Sequence, residues 1–215
     1  DTGSDVNMAK EAIRLSRMLA QLCPDEPEIE GLMALCILQN SRAQARFDHK
    51  GHMITLEDQD RTLWNHVAID EGEGMISRAL QRGRPGPFQV QAAIAALHAD
   101  AQTYAHTDWR EIALLYGVLF DMRPNPVAQL NQIVAISFAQ GPAVALASLT
   151  ALRTKLKDYQ PYYTTRADLL RRLDRFAEAE QEYQRAIELR DGDAQLAFLE
   201  RRKAACASAK TAHQN

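Results

Sequence analysis

The chain has 215 residues, which is enough for one large domain or two small ones with a substantial core. Hydrophobic residues make up 46% and charged residues 25%, a balance typical of a folded globular protein rather than a disordered chain. The net charge of −3 gives no electrostatic basis for binding nucleic acid. Because the sequence shows neither a long apolar run nor a signal peptide, we expect a cytoplasmic protein with no membrane contact.

The first predicted element is an amphipathic helix from Met8 to Leu22, followed by a break at residues 24–27. The next predicted helix, residues 29–41, is the most apolar of the chain, so we place it centrally. Its Gly31 and Ala34 indicate close packing against a neighbour. In the first helix we expect five apolar side chains to point inward: Ile13, Leu15, Met18, Leu19 and Leu22. We interpret the odd set of cysteines as reduced core thiols: Cys23, Cys36 and Cys206.

Residues 46–57 interrupt the helical pattern. Lys50-Gly51 is a turn signal between short apolar segments, which predicts a small β-hairpin or an extended loop. Residues 58–82 return to a helical pattern, and the prolines and glycines of residues 83–87 end it. We therefore predict an N-terminal helical region over residues 1–84, with the hairpin insertion at about 46–57.

The rest of the chain, residues 85–215, is dominated by paired helices. Residues 163–189 contain two helical patterns separated by a turn of three residues, with small residues on the facing sides. Ala145, 34 residues before Ala179, lies in a second helix with the same small-residue face, and Gly141-Pro142 supplies the turn before it. A helix pair that repeats every 34 residues is the tetratricopeptide pattern. We predict an all-α protein, a tetratricopeptide-like helical-repeat solenoid ending in a capping helix; the alternative is an ordinary helical bundle with coincidental spacing.

A search for reactive motifs gives a negative result. The sequence lacks GxGxxG, the P-loop, HExxH, GxSxG and CxxC. His49 and His52 flank the turn at Gly51, but no third metal-binding side chain lies nearby in sequence. We therefore predict a protein that is not an enzyme and that has no catalytic residue, cofactor or metal site.

A candidate protein-binding surface lies on the first helix of the 163–189 pair. In tetratricopeptide repeats this helix lines the concave face, and the ligand-facing positions here hold Thr164, Asp168, Arg171 and Arg172. Arginines at these positions suit an acidic segment or a terminal carboxylate. The alternative is that these charges are only a solvated helix face.

Five stretches, in order, resemble one family: EAIRLSRMLAQLCPDEPEIEGLMAL, LEDQDRTLW, GRPGPFQVQAAIAALHA, NPVAQLNQIVAI and TRADLLRRL. They are similar to the C-terminal tetratricopeptide-like extension of a class of bacterial extracytoplasmic-function (ECF) RNA polymerase sigma factors. The resemblance covers about residues 9–203. The two promoter-binding domains of such a factor are not among these residues.

This resemblance implies a regulatory protein-interaction domain that acts in transcription initiation. Its implied partners are the sigma factor's own N-terminal domains, RNA polymerase, or a small regulatory protein with an Asp-Gly-Pro-Phe motif. We expect no direct binding of this chain to promoter DNA, given its slightly acidic balance. The alternative is a free-standing tetratricopeptide scaffold that binds a peptide or partner protein.

Overall fold

The computed structural model describes residues 2–190, 192–193 and 195–212, which contain ten α-helices and no β-strand. The all-α prediction is confirmed. Two compact units are present, Asp1–Pro124 and Asn125–Asn215. The helices of the first unit are α1 (Thr2–Leu22), α2 (Pro27–Asn40), α3 (His66–Gln81), α4 (Pro87–Asp100) and α5 (Trp109–Met122). Those of the second are α6 (Pro126–Ala139), α7 (Pro142–Leu149), α8 (Gln160–Arg171), α9 (Phe176–Glu188) and α10 (Leu196–Ala212).

The first unit is built around α2, which packs against α1, α3 and α4. The predicted division between residues 84 and 85 falls inside this unit, between α3 and α4. Glu28 in the first turn of α2 reaches across to the start of α4. Its carboxylate accepts hydrogen bonds from the backbone N–H groups of Phe88 (2.7 Å) and Gln89 (3.3 Å). Glu28 thus satisfies two of the amides that a helix start leaves without a partner.

Two glycines allow neighbouring helices to approach α2 and α3 closely. A Cβ atom at Gly31 would lie 2.6 Å from Cγ of Gln89 and 2.8 Å from its backbone nitrogen. At Gly72 of α3, a Cβ would lie 2.6 Å from Cγ of Leu38. Close packing at Gly31 is therefore confirmed. The core around these contacts consists of Ala34, Leu38, Ala45, Trp64, Ile69, Ile76, Ala92, Ala95 and Ala99.

The inward direction predicted for the apolar side of α1 was wrong for Leu15, Met18, Leu19 and Leu22, whereas Ile13 is half-buried. Ser16 is buried, whereas five large apolar side chains are exposed: Met8 (63%), Leu15 (51%), Met18 (46%), Leu19 (40%) and Leu22 (77%). We call these five residues the α1 stripe. Helical periodicity identifies an apolar face, but it does not show whether the same chain supplies a partner for that face. The prediction of core cysteines also holds only for Cys206, since Cys23 is exposed and Cys36 is half-buried.

The interruption at residues 46–57 is a loop with one isolated antiparallel bridge, between Phe47 and Met53. Asp48 organises the turn by accepting hydrogen bonds from the backbone N–H groups of Lys50 and His52. Gly51 adopts a φ of 81°, a conformation that glycine reaches without strain. The loop alternative of the prediction is therefore the observed one.

The helix predicted from residue 58 begins only at His66. Asp60 instead caps a short 3-10 turn, Arg61–Leu63, by accepting a hydrogen bond from the Thr62 N–H. Asn65 then caps α3 by accepting from the Ala68 N–H. The prediction was wrong for residues 58–65 because these short polar side chains bind nearby backbone N–H groups and so delay the start of the α-helix.

In the second unit, each helix packs against the next one along the chain, and α6 also packs against α8. Ala145 and Ala179, which lie 34 residues apart, are both completely buried. This arrangement is compatible with a helical repeat. The core consists mainly of leucine, alanine and two tyrosines: Leu130, Ile133, Ala145, Leu146, Leu149, Leu152, Leu156, Tyr162, Ala167, Leu169, Leu170, Ala179, Tyr183, Ala186, Leu199 and Cys206.

The turn between α8 and α9 has the hydrogen bonds of a Schellman motif. The N–H of Arg175 donates to the carbonyl of Leu170, and the N–H of Asp174 donates to that of Arg171. Asp174 occupies the left-handed position with a φ of 57°. Its non-glycine side chain makes this conformation unfavourable, so the closure of the helix pair holds Asp174 in place.

Candidate protein-interaction surface

The structure places Thr164, Asp168 and Arg171 on α8 and Arg172 at its C-cap. The hydroxyl of Thr164 accepts a hydrogen bond from the side chain of Gln160, one turn earlier (2.8 Å). Asp168 pairs with two arginines, at 2.7 Å from Arg171 and 3.9 Å from Arg172. The three charged residues therefore form one network with a surplus of positive charge, and Thr164 lies beside it.

Arg172 has a structural role that the sequence did not reveal. It donates one hydrogen bond to the Ser137 hydroxyl (2.8 Å) and another to the Ser137 carbonyl (2.7 Å). Its guanidinium also lies 4.5 Å from the ring centre of Phe138. Ser137 is in the last turn of α6, where carbonyl groups lack partners within the helix. Arg172 satisfies one of them and ties α8 to α6, so only 22% of its side chain is exposed.

Arg171 and Asp168 remain partly accessible, with side chains that are 30% and 33% exposed. Burial opposes the charge of Arg171, but the hydrogen bond that Arg171 donates to Asp168, the charge of Asp168 and the contribution of Tyr183 together outweigh burial and raise the pKa of the guanidinium. Burial, together with the charge of Asp168, raises the pKa of the nearby Tyr183 to about 12, so its hydroxyl stays protonated. The accessible part of this surface is thus the fixed ion pair of Asp168 and Arg171, while the neutral Tyr183 beside it is buried.

The other arginines around α8 also have partners within the unit. Arg166 pairs with Glu182 of α9 at 2.7 Å, and both side chains are only 18% exposed. Arg175 pairs with Glu178 at the start of α9. The pattern of arginines in the sequence therefore overstates the positive charge that is available to a ligand.

Metal-binding and membrane-spanning features are absent from the part of the chain that the structure describes. No three histidine, cysteine, aspartate or glutamate side chains in it are placed to hold a metal ion. His52 contacts Asp48 through Nδ1 at 3.0 Å instead. None of the described helices is both long enough and apolar enough to cross a membrane.

A second surface, which the sequence analysis missed, lies on α1. A groove of about 530 Å³ runs beside the α1 stripe. One part of its lining is apolar or small, and the other part is polar: Ala9, Ala12, Leu35, Cys36, Ala43 and Phe47, with Gln39, Asn40, Arg46 and Asp48. Ala12 is one helical turn from Met8 and from Leu15, so groove and stripe are adjacent. No signal in the sequence identified this surface, because an amphipathic helix shows the same pattern wherever its partner lies.

Comparison with known proteins gives two matches. A model described as a family of unknown function (DUF6596) matches residues 1–80, which include α1, α2 and nearly all of α3. An uncharacterized protein of Rhizobium meliloti (strain 1021) is 48% identical over 197 residues, which are 92% of this chain and 47% of that protein. The chain thus spans about half the length of this curated relative. No solved structure matches the chain.

Proposed function

We propose that the chain is the regulatory protein-interaction domain of an ECF sigma factor that acts in transcription initiation. The observation that carries this proposal is the ordered resemblance of five sequence stretches over residues 9–203. The length of the Rhizobium relative supports it, because a protein about twice as long has room for promoter-binding domains outside the matched part. In this proposal the chain works in the cytoplasm and contacts protein rather than DNA.

The finer architecture belongs to the same proposal. We infer that the helix pairs of the second unit stack as a tetratricopeptide-like solenoid, with α8 lining the binding face. The sequential packing of α6 to α10 and the burial of Ala145 and Ala179 support this arrangement. The ligand surface then comprises Thr164, Asp168 and Arg171, while Arg172 holds the surface in position from the side of α6. A partner segment with both an acidic and an amide group suits such a mixed surface.

The test uses the full-length protein from the complete coding sequence. We expect it to co-purify RNA polymerase and to direct transcription from a promoter, and removal of residues 1–215 should impair that activity. Arg171→Ala should weaken the response several-fold, because it removes the accessible cation of the surface. Arg175→Ala is the matched control, since Arg175 forms a similar pair three residues along a helix but lies outside this surface.

Two outcomes would contradict the proposal. A full-length protein without promoter-binding domains, or one that recovers no polymerase, would favour the free-standing scaffold. Equal activity of wild type and Arg171→Ala would remove the α8 surface from the proposal and leave the sigma-factor assignment in place.

A further inference from the structure

The α1 stripe concentrates exposed apolar surface on one helix. Of the twelve large apolar side chains that are exposed among the described residues, five belong to it. Single exposed apolar residues are normal on a protein surface, whereas a contiguous apolar patch marks a place where another protein binds. The stripe reaches from Met8 to Leu22, and 14 steps of about 1.5 Å give it a length of about 21 Å.

The shape of the surface favours a helix as its partner. Leu15, Leu19 and Leu22 are spaced by four and three residues, so they form one ridge along α1. The groove lies along this ridge, between α1, α2 and the loop after α2, and the side that α1 contributes to it is apolar. A ridge with a parallel groove accepts an amphipathic helix of about four turns, whose own ridge fills the groove.

The charges beside the stripe indicate the chemistry of that helix. Lys10, Arg14 and Arg17 follow one flank of α1, and among the side chains of α1 that the structure describes the only acid is Glu11. Arg14 pairs with Glu11 and Arg17 pairs with Glu71, but both arginine side chains are still more than half exposed. This flank is therefore positive, and it suits a helix with acidic residues along one edge of its apolar face.

We propose that the stripe and the groove dock an amphipathic helix from the part of the same protein that precedes Asp1. This inference rests on the proposed function, which puts the promoter-binding domains ahead of this chain. About half of the Rhizobium relative lies outside the matched region, so such a protein has the length to supply the helix. A segment joined to the start of α1 is held near the stripe at an effective concentration on the order of millimolar. Weak apolar contacts are then sufficient for docking. A separate partner with the same weak contacts would not occupy the stripe at ordinary concentrations.

The inference assigns a regulatory role to α1. When the part of the protein that precedes Asp1 docks on the α1 stripe, its position relative to the first unit is fixed. When it leaves the stripe, it can move. The family model that matches residues 1–80 includes α1 together with α2 and α3, so the helix is part of the shared unit and not only a connection.

Methionine oxidation in the full-length protein measures whether the stripe is covered. Met8 and Met18 lie in the stripe, and Met122 on α5 is an internal reference with an exposed fraction of 39%. With hydrogen peroxide as the probe, and rates normalised to the urea-unfolded protein, we expect Met8 and Met18 to react about tenfold more slowly than Met122. That ratio corresponds to a docked form that outnumbers the open form by about ten to one. Rates as fast as that of Met122 would overturn the inference.

Substitutions in the stripe show whether docking is the cause of slow oxidation at Met8 and Met18. Leu15→Gln/Leu19→Gln/Leu22→Gln should restore fast oxidation of Met8 and Met18, and the single change Leu22→Gln should do so in part. The matched control is Leu114→Gln/Val118→Gln, since these α5 residues have similar exposure and spacing (60% and 43%). The control should leave both rates unchanged. Unchanged protection in the triple variant would overturn the inference.

Two comparisons identify the occupant and keep the proposals apart. Protection by the same polypeptide is independent of protein concentration, whereas protection that disappears on dilution would mean that a second copy covers the stripe, and would overturn the assignment. Polymerase recovery is measured on the same samples. An uncovered stripe with polymerase bound would refute the docking alone, while a covered stripe without polymerase would support the docking and refute the sigma-factor function.

Discussion

The two units use different means to hold helices together. In the first unit, α2 contacts helices before and after it, including α4 far along the chain, and the contact depends on particular fits at Gly31 and Glu28. In the second, neighbouring helices pack in order through small residues that recur, such as Ala145 and Ala179. A central helix such as α2 packs against several other helices at once, so each of its contacts requires a particular fit. Sequential packing repeats one kind of contact and spreads the stability over many similar positions.

The largest effect on stability is expected at α2, the central helix of the first unit. Gly31→Ala places a Cβ against the backbone and side chain of Gln89, and backbone cannot move aside cheaply. We expect a loss of about 3 kcal/mol in the free energy of unfolding, measured by urea denaturation. Gly74→Ala on α3 is the control, because its nearest neighbour is the flexible end of Arg78 at 3.4 Å. It should stabilise the protein by about 0.5–1 kcal/mol. Equal effects of the two changes would show that α2 and α4 do not need this close approach.

The corresponding test of sequential packing is Ala179→Leu. Ala179 of α9 is completely buried in the core of the second unit, so a larger side chain overpacks that core, and we expect a loss of about 2 kcal/mol in the free energy of unfolding. Ala177→Leu on the exposed side of α9 should change the stability very little. A melting temperature that is the same for both variants would mean that the small residues do not set the spacing of the helices.

The pH dependence of the free energy of unfolding tests whether His98 of the first unit is buried in its neutral form. Burial lowers the pKa of His98 to about 4, and the charges of Arg42 and Arg61 add to this effect. The unfolded chain has a histidine pKa of about 6.5, so between pH 6.5 and 4 it binds more protons than the folded chain. The free energy of unfolding should therefore fall as the pH decreases through this window. His98→Gln should remove that part of the slope, and an unchanged slope would refute the buried neutral histidine.

The smallest expected effect is in the turn of the second unit. Asp174→Gly relieves the left-handed conformation that the Schellman motif imposes, but it also adds freedom to the unfolded chain. We expect a net gain of about 0.5 kcal/mol, measured as a rise in the denaturation midpoint. Asp158→Gly, in the exposed turn before α8, is the control and should give no gain. If Asp174→Gly lowers the stability, interactions of the Asp174 side chain stabilise the fold by more than its left-handed backbone conformation destabilises it.

Most of the helices could be predicted from the sequence, because their apolar spacing and their prolines and glycines are local signals. Pro142 begins α7, and Gly141 marks the turn between α6 and α7, as predicted. The helix start at His66 was missed since Asp60 and Asn65 bind nearby backbone in a way that a periodic pattern does not record.

Long-range contacts explain the remaining differences. The link from Arg172 to Ser137 joins residues 35 positions apart, so no local pattern identifies it, and Arg172 is identical in type to the more accessible Arg171 beside it. The exposure of the α1 stripe has the same origin. An amphipathic helix has the same sequence pattern whether its partner lies in this chain or elsewhere.

The link between Arg172 and Ser137 also determines where this chain can change in length. Its hydrogen bonds of 2.7–2.8 Å fix the distance between two helices whose intervening segment includes all of α7. An insertion or deletion within α7 would rotate or shift α8 and break that register. Lys157 and Asp158 lie in the turn between the two helices, with side chains that are 73% and 72% exposed. Changes in length among relatives should therefore accumulate at this turn, and the helical segments around it should keep a constant number of residues.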